Sequence, residues 1–270
     1  NDLDGDANMG RETYLMPMQW EPTIVKWEQV SEDRWEPLRY LFPVVAPLTG
    51  KVERFTPLPY ADKPQYINNT VVDDFLDENL DLRWTFVRVP EDKTYSLSEN
   101  PGFLRLYSKP GIIQNRKRFS LVGFRQKESD FEFEVKMNFS PEKDKVESGI
   151  IHYQKEWNYL TNTVTKVKKK YYLEQKLKEK SKEVVTLKKT ILKGYDGNII
   201  LKVKSKKDKY DFYYSLNNGS SFIYFTSMDA IKILDRNYTG ALLGFYTTSN
   251  GKVTQDYADY DWIRYRDYLR

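Results

Sequence analysis

Cysteine is absent from all 270 residues, which excludes disulfides, thiolate metal sites, iron–sulfur clusters and a cysteine nucleophile. Histidine is nearly absent: His152 stands alone, so no multi-histidine zinc site can form and every serine–histidine scheme is weakened. No stretch approaches the ~20 apolar residues needed to span a bilayer, so no membrane segment is expected. Neither sign of charge dominates. The 43 basic and 39 acidic residues leave a formal +4, which makes no global case for a nucleic-acid protein. No secretory signal is visible, and the chain begins at Asn1 rather than Met. It reads as a processed product or a piece of something longer, and its compartment stays unassigned.

Apolar residues make up 40% of the chain and aromatics 15%. That is enough for a real core and excludes a wholly disordered chain. The length suits one large β domain, or one domain and a fragment of another. Four Asn-x-Ser/Thr triplets begin at Asn68, Asn138, Asn218 and Asn237, the second directly followed by Pro141. Secretion is compatible with them but not required by them.

Residues 1–65 differ from the rest. They hold eight of the twelve prolines, with Trp20, Trp27 and Trp35 between them. Proline lacks a ladder donor and stiffens the backbone, so this stretch is expected not to form a regular sheet by itself. From Val71 onward the period becomes two. In Phe131–Phe139 the apolar residues Phe131, Phe133, Val135, Met137 and Phe139 alternate with Glu132, Glu134, Lys136 and Asn138. This pattern predicts a strand with one face buried and one in water. Further short strands are expected near 104–107, 119–124, 149–153, 199–204, 210–215, 241–246 and 257–265. Turn signals such as Asn100-Pro-Gly102, Asp196-Gly197 and Asn217-Asn-Gly219 separate them. Many short strands with little helical periodicity predict an all-β antiparallel sandwich.

One segment admits two readings. Residues 166–193 hold eleven lysines and three glutamates. They form either a phosphate-binding patch with interleaved aromatics or the solvated faces of two strands and their hairpin, where lysine also guards against edge-to-edge pairing. An exposed helix over Tyr171–Lys180 is a further possibility. The solvated-strand reading is favoured, because no nucleic-acid motif accompanies the lysines.

Four groups of residues carry a resemblance. They are Asn8–Trp20; Val72-Asp-Asp-Phe75 with Trp84, Tyr95-Ser-Leu97 and Pro101–Leu106; Arg118-Phe119, Phe124-Arg-Gln126, the Phe131–Phe139 strand, Ser148–Gln154 and Asn158-Tyr159; and the ending Tyr238–Tyr246 with Ala258–Tyr265. Together they resemble the C-terminal part of glycoside hydrolase family 43 β-xylosidases and α-L-arabinofuranosidases. The resemblance implies the end of a five-bladed propeller and a linker over 1–65. Over 66–270 it implies a concanavalin A-like jelly-roll sandwich of two antiparallel sheets. Residues 21–65 look longer than the family's usual connection, and the lysine-rich hairpin more charged.

The resemblance also implies an accessory role. Family 43 enzymes invert the anomeric centre with an aspartate base, a glutamate acid and a further aspartate that orients the acid. These lie on propeller blades and map onto no residue here, so no catalytic residue, cofactor or metal is assigned to this chain. Alone it is expected not to hydrolyse glycosides. The implied partners are the family 43 propeller domain and a xylo- or arabino-oligosaccharide, with no nucleic acid and no membrane. The alternative is a free-standing carbohydrate-binding module with a concave aromatic face.

Tyr238, just before Thr239-Gly-Ala241, matches a family aromatic that leans over the propeller's sugar pocket; the alternative is an ordinary loop tyrosine. Asp73, Asp74, Asp259 and Asp261 come together if the first and last strands lie side by side, and clustered carboxylates suit calcium. Separate carboxylates are the favoured reading. The Asp2–Asp6 cluster lacks EF-hand spacing. Arg11 and Glu12 read as a structural ion pair, His152 as a satisfied structural histidine, and the three early tryptophans as domain glue.

Overall fold

The computed structural model describes residues 16–51, 70–115, 119–206, 208–235 and 240–268. They fall into two compact units, one holding 16–51 and the other 70–268.

The first unit is a long hairpin. Strands β1 (Met18–Ser31) and β2 (Arg34–Val45) pair antiparallel from Met18 opposite Val45 to Ser31 opposite Arg34, with irregularities at Ile24/Lys26 and Gln29/Ser31. This corrects the expectation that the proline-rich stretch makes no regular sheet. The physical reason is that a two-stranded ribbon consists only of edge strands. Alternate N–H groups point away from the partner, and a proline at such a site removes no ladder bond. Pro22, Pro37 and Pro43 sit opposite Leu41, Trp27 and Trp20 without ending the ribbon.

The second unit is the sandwich. Its strands are β3 (Thr70–Asp73), β4 (Thr85–Phe86), β5 (Tyr95–Ser96), β6 (Leu104–Tyr107), β7 (Ser120–Arg125), β8 (Phe131–Asn138), β9 (Glu147–Lys155) and β10 (Asn158–Val167). They continue with β11 (Lys170–Glu179), β12 (Val185–Ile191), β13 (Asn198–Lys206), β14 (Lys209–Ser215), β15 (Ile223–Asp229), β16 (Leu242–Thr248) and β17 (Tyr257–Asp267). A seven-stranded sheet runs β12–β11–β10–β9–β16–β7–β4, and an eight-stranded sheet runs β15–β14–β13–β8–β17–β6–β5 with β3 also on β17. Every pairing of named strands is antiparallel.

The core lies between the sheets, and the period-two strands build it. Phe131, Phe133, Val135 and Met137 of β8 are fully buried, as are Leu160 and Val164 of β10 and Phe245 of β16. Each such side chain contributes ~1.5–3 kcal/mol through removal from water. Trp84 packs edge-on against Phe124 at 5.4 Å and tilted against Phe245 at 5.1 Å. On the water face of β8 the intervening residues form an ion ladder. Lys202 reaches Glu132 at 3.1 Å and Glu134 at 3.0 Å, and Lys204 reaches Glu132 at 2.9 Å.

The lysine-rich run is the end of β10, then β11 and β12, not a helix. Lys168 and Lys169 form the two-residue hairpin turn with φ of 47° and 63°. A turn of this hand usually carries Asn-Gly; here lysines hold it. Further along, Lys176 pairs with Glu147 and with Glu174 (3.2 Å), and Lys189 pairs with Glu174 (2.5 Å). These two of the run's eleven lysines are therefore tied to carboxylates within the sheet.

Candidate functional site

The first and last strands of the sandwich do lie side by side: Asp73 of β3 stands opposite Ile263 of β17. The four aspartates nevertheless take separate partners. Asp73 accepts the Phe75 amide at 3.0 Å and the Trp84 indole Nε1–H at 2.7 Å. Asp74 accepts the Leu76 amide at 3.4 Å. Asp259 receives a two-pronged contact from Arg105 Nε and Nη2, both at 2.8 Å, and a third hydrogen bond from Asn100 at 2.9 Å. Asp261 pairs with Lys136 at 2.8 Å. Among the described residues no three His, Asp or Glu side chains gather as a metal site. These carboxylates are structural ties.

The Asp259–Arg105 tie joins β17 to β6, is mostly buried, and is capped by the Tyr257 ring 3.8 Å from the guanidinium carbon. The Asp259 hydrogen bond raises the guanidinium's pKa against the desolvation that would lower it. Asp259→Ala leaves Arg105 and Asn100 without their acceptor and is expected to cost about 2 kcal/mol. Asp259→Asn, which keeps one acceptor oxygen, is expected to cost less. Urea midpoints for the two variants check the order.

The outer face of the seven-stranded sheet carries two buried carboxylates. Glu147 is 5% exposed and Glu174 is 7% exposed. The Glu147 carboxylate meets Lys176 and the Thr163 hydroxyl at 3.3 Å. Desolvation pushes the Glu174 pKa up, but hydrogen bonds and charge from Lys189 and Lys176 outweigh it and leave the group below its ordinary value. A general acid needs the opposite displacement. This constellation is wired as an ion network, not as a proton donor.

His152 lies on the inner face of β9 and is 1% exposed. Its ring stacks on Tyr210 at 4.8 Å and lies 6.0 Å from Phe131. Neither ring nitrogen has a hydrogen-bond partner. The expectation of a structural histidine agrees with this place, but the ring is held by aromatic contact where satisfied hydrogen bonds were expected. On the hairpin of the first unit Trp20, Trp27 and Trp35 are 56–57% exposed.

Tyr238 lies outside the described residues, as do Arg11, Glu12 and the Asp2–Asp6 cluster. The described residues on either side, up to 235 and from 240, are tied to neighbouring strands. Asn158 Nδ2, fully buried, donates to the carbonyls of Ile233 (3.1 Å) and Leu234 (2.8 Å). Asp235 accepts Lys155 Nζ at 3.0 Å and the Trp157 indole at 3.2 Å. On the far side Arg125 Nη1 donates to Gly240 O at 3.1 Å, and the Gln126 amide donates to Ala241 O at 3.0 Å. An open groove of about 360 Å³ borders Gly240, lined by Phe86, Arg88, Arg125, Tyr153 and Glu156 among others. Local sequence patterns did not mark these anchors, because they come from three strands distant in sequence.

Residues 72–266 match the β-xylosidase C-terminal concanavalin A-like domain family. A non-reducing end α-L-arabinofuranosidase of Bacteroides ovatus is 28% identical over 262 residues, covering 96% of this chain and 45% of the relative. A xylosidase/arabinosidase of Butyrivibrio fibrisolvens is 29% identical over 275 residues, covering 96% of this chain and 47% of the relative. Among solved structures, the family 43 protein BlXynB of Bacillus licheniformis superposes with a TM-score of 0.73 at 27% identity, over 96% of this chain and 47% of that one. The chain spans about half the length of the curated relatives it matches.

Proposed function

The chain belongs to the concanavalin A-like C-terminal domain family of glycoside hydrolase family 43, and from that premise we propose that it is the accessory sandwich of an inverting β-xylosidase or α-L-arabinofuranosidase. In this reading residues 1–65 are the end of a propeller and its linker, and 66–270 are the sandwich that packs on the propeller. Tyr238 closes the sugar pocket, and the acid and base belong to the half of the relatives that this chain does not span.

The observation that carries the proposal is the match over residues 72–266 to this domain family, in a chain that spans about half the length of relatives named as xylosidases and arabinofuranosidases. The ion-paired state of Glu147 and Glu174 agrees with it. The exposed rings on the β1–β2 hairpin suit a surface that meets another domain. A free-standing binding module is less well supported. Across the water face of the eight-stranded sheet the central rung runs Arg264, Glu134, Lys202, Tyr213 and Tyr224. It is a charge ladder for most of its length, where such a module needs a continuous row of open rings.

Two measurements test the proposal. The isolated chain is expected to give no turnover of aryl xylosides or arabinosides; clear turnover overturns it. In an enzyme that contains both domains, Tyr238→Ala is expected to lower kcat/KM by roughly tenfold or more, through loss of a ring that stacks on sugar C–H groups and shuts out water. Unchanged kcat and KM would remove the pocket-closing role.

A further inference from the structure

An open groove of about 330 Å³ lies on the water face of the eight-stranded sheet, beside the start of β13 and the end of β14. Lys136 of β8, Ile200 of β13 and Ser215 of β14 stand opposite one another across it, and Trp262 of β17 stands opposite Lys136 on the other side. Strands lie ~4.8 Å apart, so the line from Trp262 to Ser215 covers ~14 Å. That is long enough for a short run of sugar rings, and the volume falls at the low end of small-molecule sites.

The groove is built rather than incidental. Ile200 sits on the water face yet is only 4% exposed. The turn after β14 folds back over it so closely that a Cβ on Gly219 would lie 3.3 Å from Ile200 Cδ1. That turn is fixed by its own side chains. Ser215 Oγ donates to Asn217 Oδ1 at 2.7 Å and accepts the Gly219 amide at 3.0 Å, while Asn217 Nδ2 donates to Ser221 Oγ at 2.8 Å. On the opposite wall Asn198 accepts from Asn138 Nδ2 at 3.1 Å, and its backbone N–H donates to Asp196 Oδ1 at 2.9 Å. At the rim Asn218 is exposed, with φ of 55°.

Charge narrows the ligand class. Lys136 is neutralised by Asp261 at 2.8 Å, and Asp196 adds a carboxylate. A phosphate or polyanion is disfavoured here. What remains is amide walls around Leu216 and the covered Ile200, with the Trp262 indole one strand beyond Lys136 and outside the groove's own lining. A neutral polyhydroxylated chain that reaches from one to the other combines hydrogen bonding with stacking. We propose that this groove binds a short neutral oligosaccharide, as a surface site separate from any catalytic pocket. The choice of sugar as the ligand rests on the accessory-domain reading above; the geometry of the groove does not.

Titrating the 270-residue chain with xylotetraose, followed by amide chemical shifts, tests the proposal. Saturable shifts centred on Asn198, Ile200, Asn218 and the Trp262 indole are expected. Trp262→Ala and Asn218→Gly are each expected to weaken binding, the former roughly tenfold or more. Glycine at 218 keeps the left-handed turn while removing the amide, so a folding defect does not confuse the result. Tyr224→Ala, on the same face but away from the groove, is expected to bind as before. No saturable shift at tens of millimolar xylotetraose overturns the proposal, as does binding indifferent to both groove variants. Neither result depends on the Tyr238 kinetics, so this proposal and the pocket-closing one can fail separately.

Discussion

Gly244→Ala is expected to remove most or all of the stability of the sandwich. Gly244 lies on β16 at the centre of the seven-stranded sheet, between β9 and β7, opposite Gly123 on one side and Ile151 on the other. A Cβ there would stand 2.1 Å from the Val122 carbonyl oxygen and 2.5 Å from Gly123 Cα. Both are backbone atoms, so no side chain can turn aside. The strands themselves must move, and with them Leu243 and Phe245, fully buried on the opposite face of β16. Overpacking alone costs 1–3 kcal/mol. Loss of sheet register adds to it, so ~4 kcal/mol or more is expected, within reach of a whole domain's stability. Gly149→Ala is expected to behave alike, its Cβ falling 2.1 Å from the Asn162 carbonyl oxygen. Gly251→Ala is the control. Its φ of 88° is strained for alanine, but nothing lies within 4 Å, so the cost is only ~1 kcal/mol. Urea unfolding of the three variants decides the matter. Equal midpoints for Gly244→Ala and Gly251→Ala would show that close backbone approach is not what these glycines serve.

Local alternation made much of this fold legible before any coordinates. Phe131–Phe139 reads as a half-buried strand because each second side chain must leave water, and β8 follows that pattern with Glu132, Glu134 and Lys136 outward. The lysine-rich run was legible for a related reason: lysine on strand faces and edges is common, whereas nothing else in the run called for a phosphate. The β1–β2 ribbon is hidden in the sequence because proline argues against central strands, and a two-stranded ribbon has none. The candidate site was less legible. Pairing of the first and last strands was foreseeable, but Asp259 meets Arg105 from 154 positions away, a partner no local pattern names. Gly149 and Gly244 carry no sequence signal for their 2.1 Å approaches; only the paired strands reveal them. The groove at Asn198 and Asn218 was hidden likewise, since both residues read as turn formers and nothing more.

Acidification is expected to destabilise the sandwich through His152 well before most carboxylates titrate. The ring stands between the sheets, stacked on Tyr210 and close to Phe131 and Phe212, with no hydrogen bond to either nitrogen. Burial alone pushes its pKa from 6.5 down to about 3. The sign follows from proton counting. Above pH ~6.5 the ring is neutral in both the folded and unfolded chain, and it contributes no pH dependence. Between ~6.5 and ~3 the unfolded chain binds a proton that the folded chain refuses, so stability falls as pH falls, by ~1.4 kcal/mol per unit. The cumulative loss is ~3 kcal/mol near pH 4.5 and on the order of 4–5 kcal/mol by pH 3. His152→Phe keeps an aromatic ring against Tyr210 and removes the proton site. It also removes two buried polar atoms that lack partners, so its stability near pH 7.5 is expected to equal or exceed that of the parent. Between pH ~7.5 and ~4.5 the parent is expected to lose ~3 kcal/mol more than the variant, a difference that cancels the carboxylates both share. Denaturant midpoints at the two pH values measure it. Parallel pH profiles for the two proteins would mean that the imidazolium finds a partner or water in the folded state, and that the aromatic cage does not hold the ring neutral.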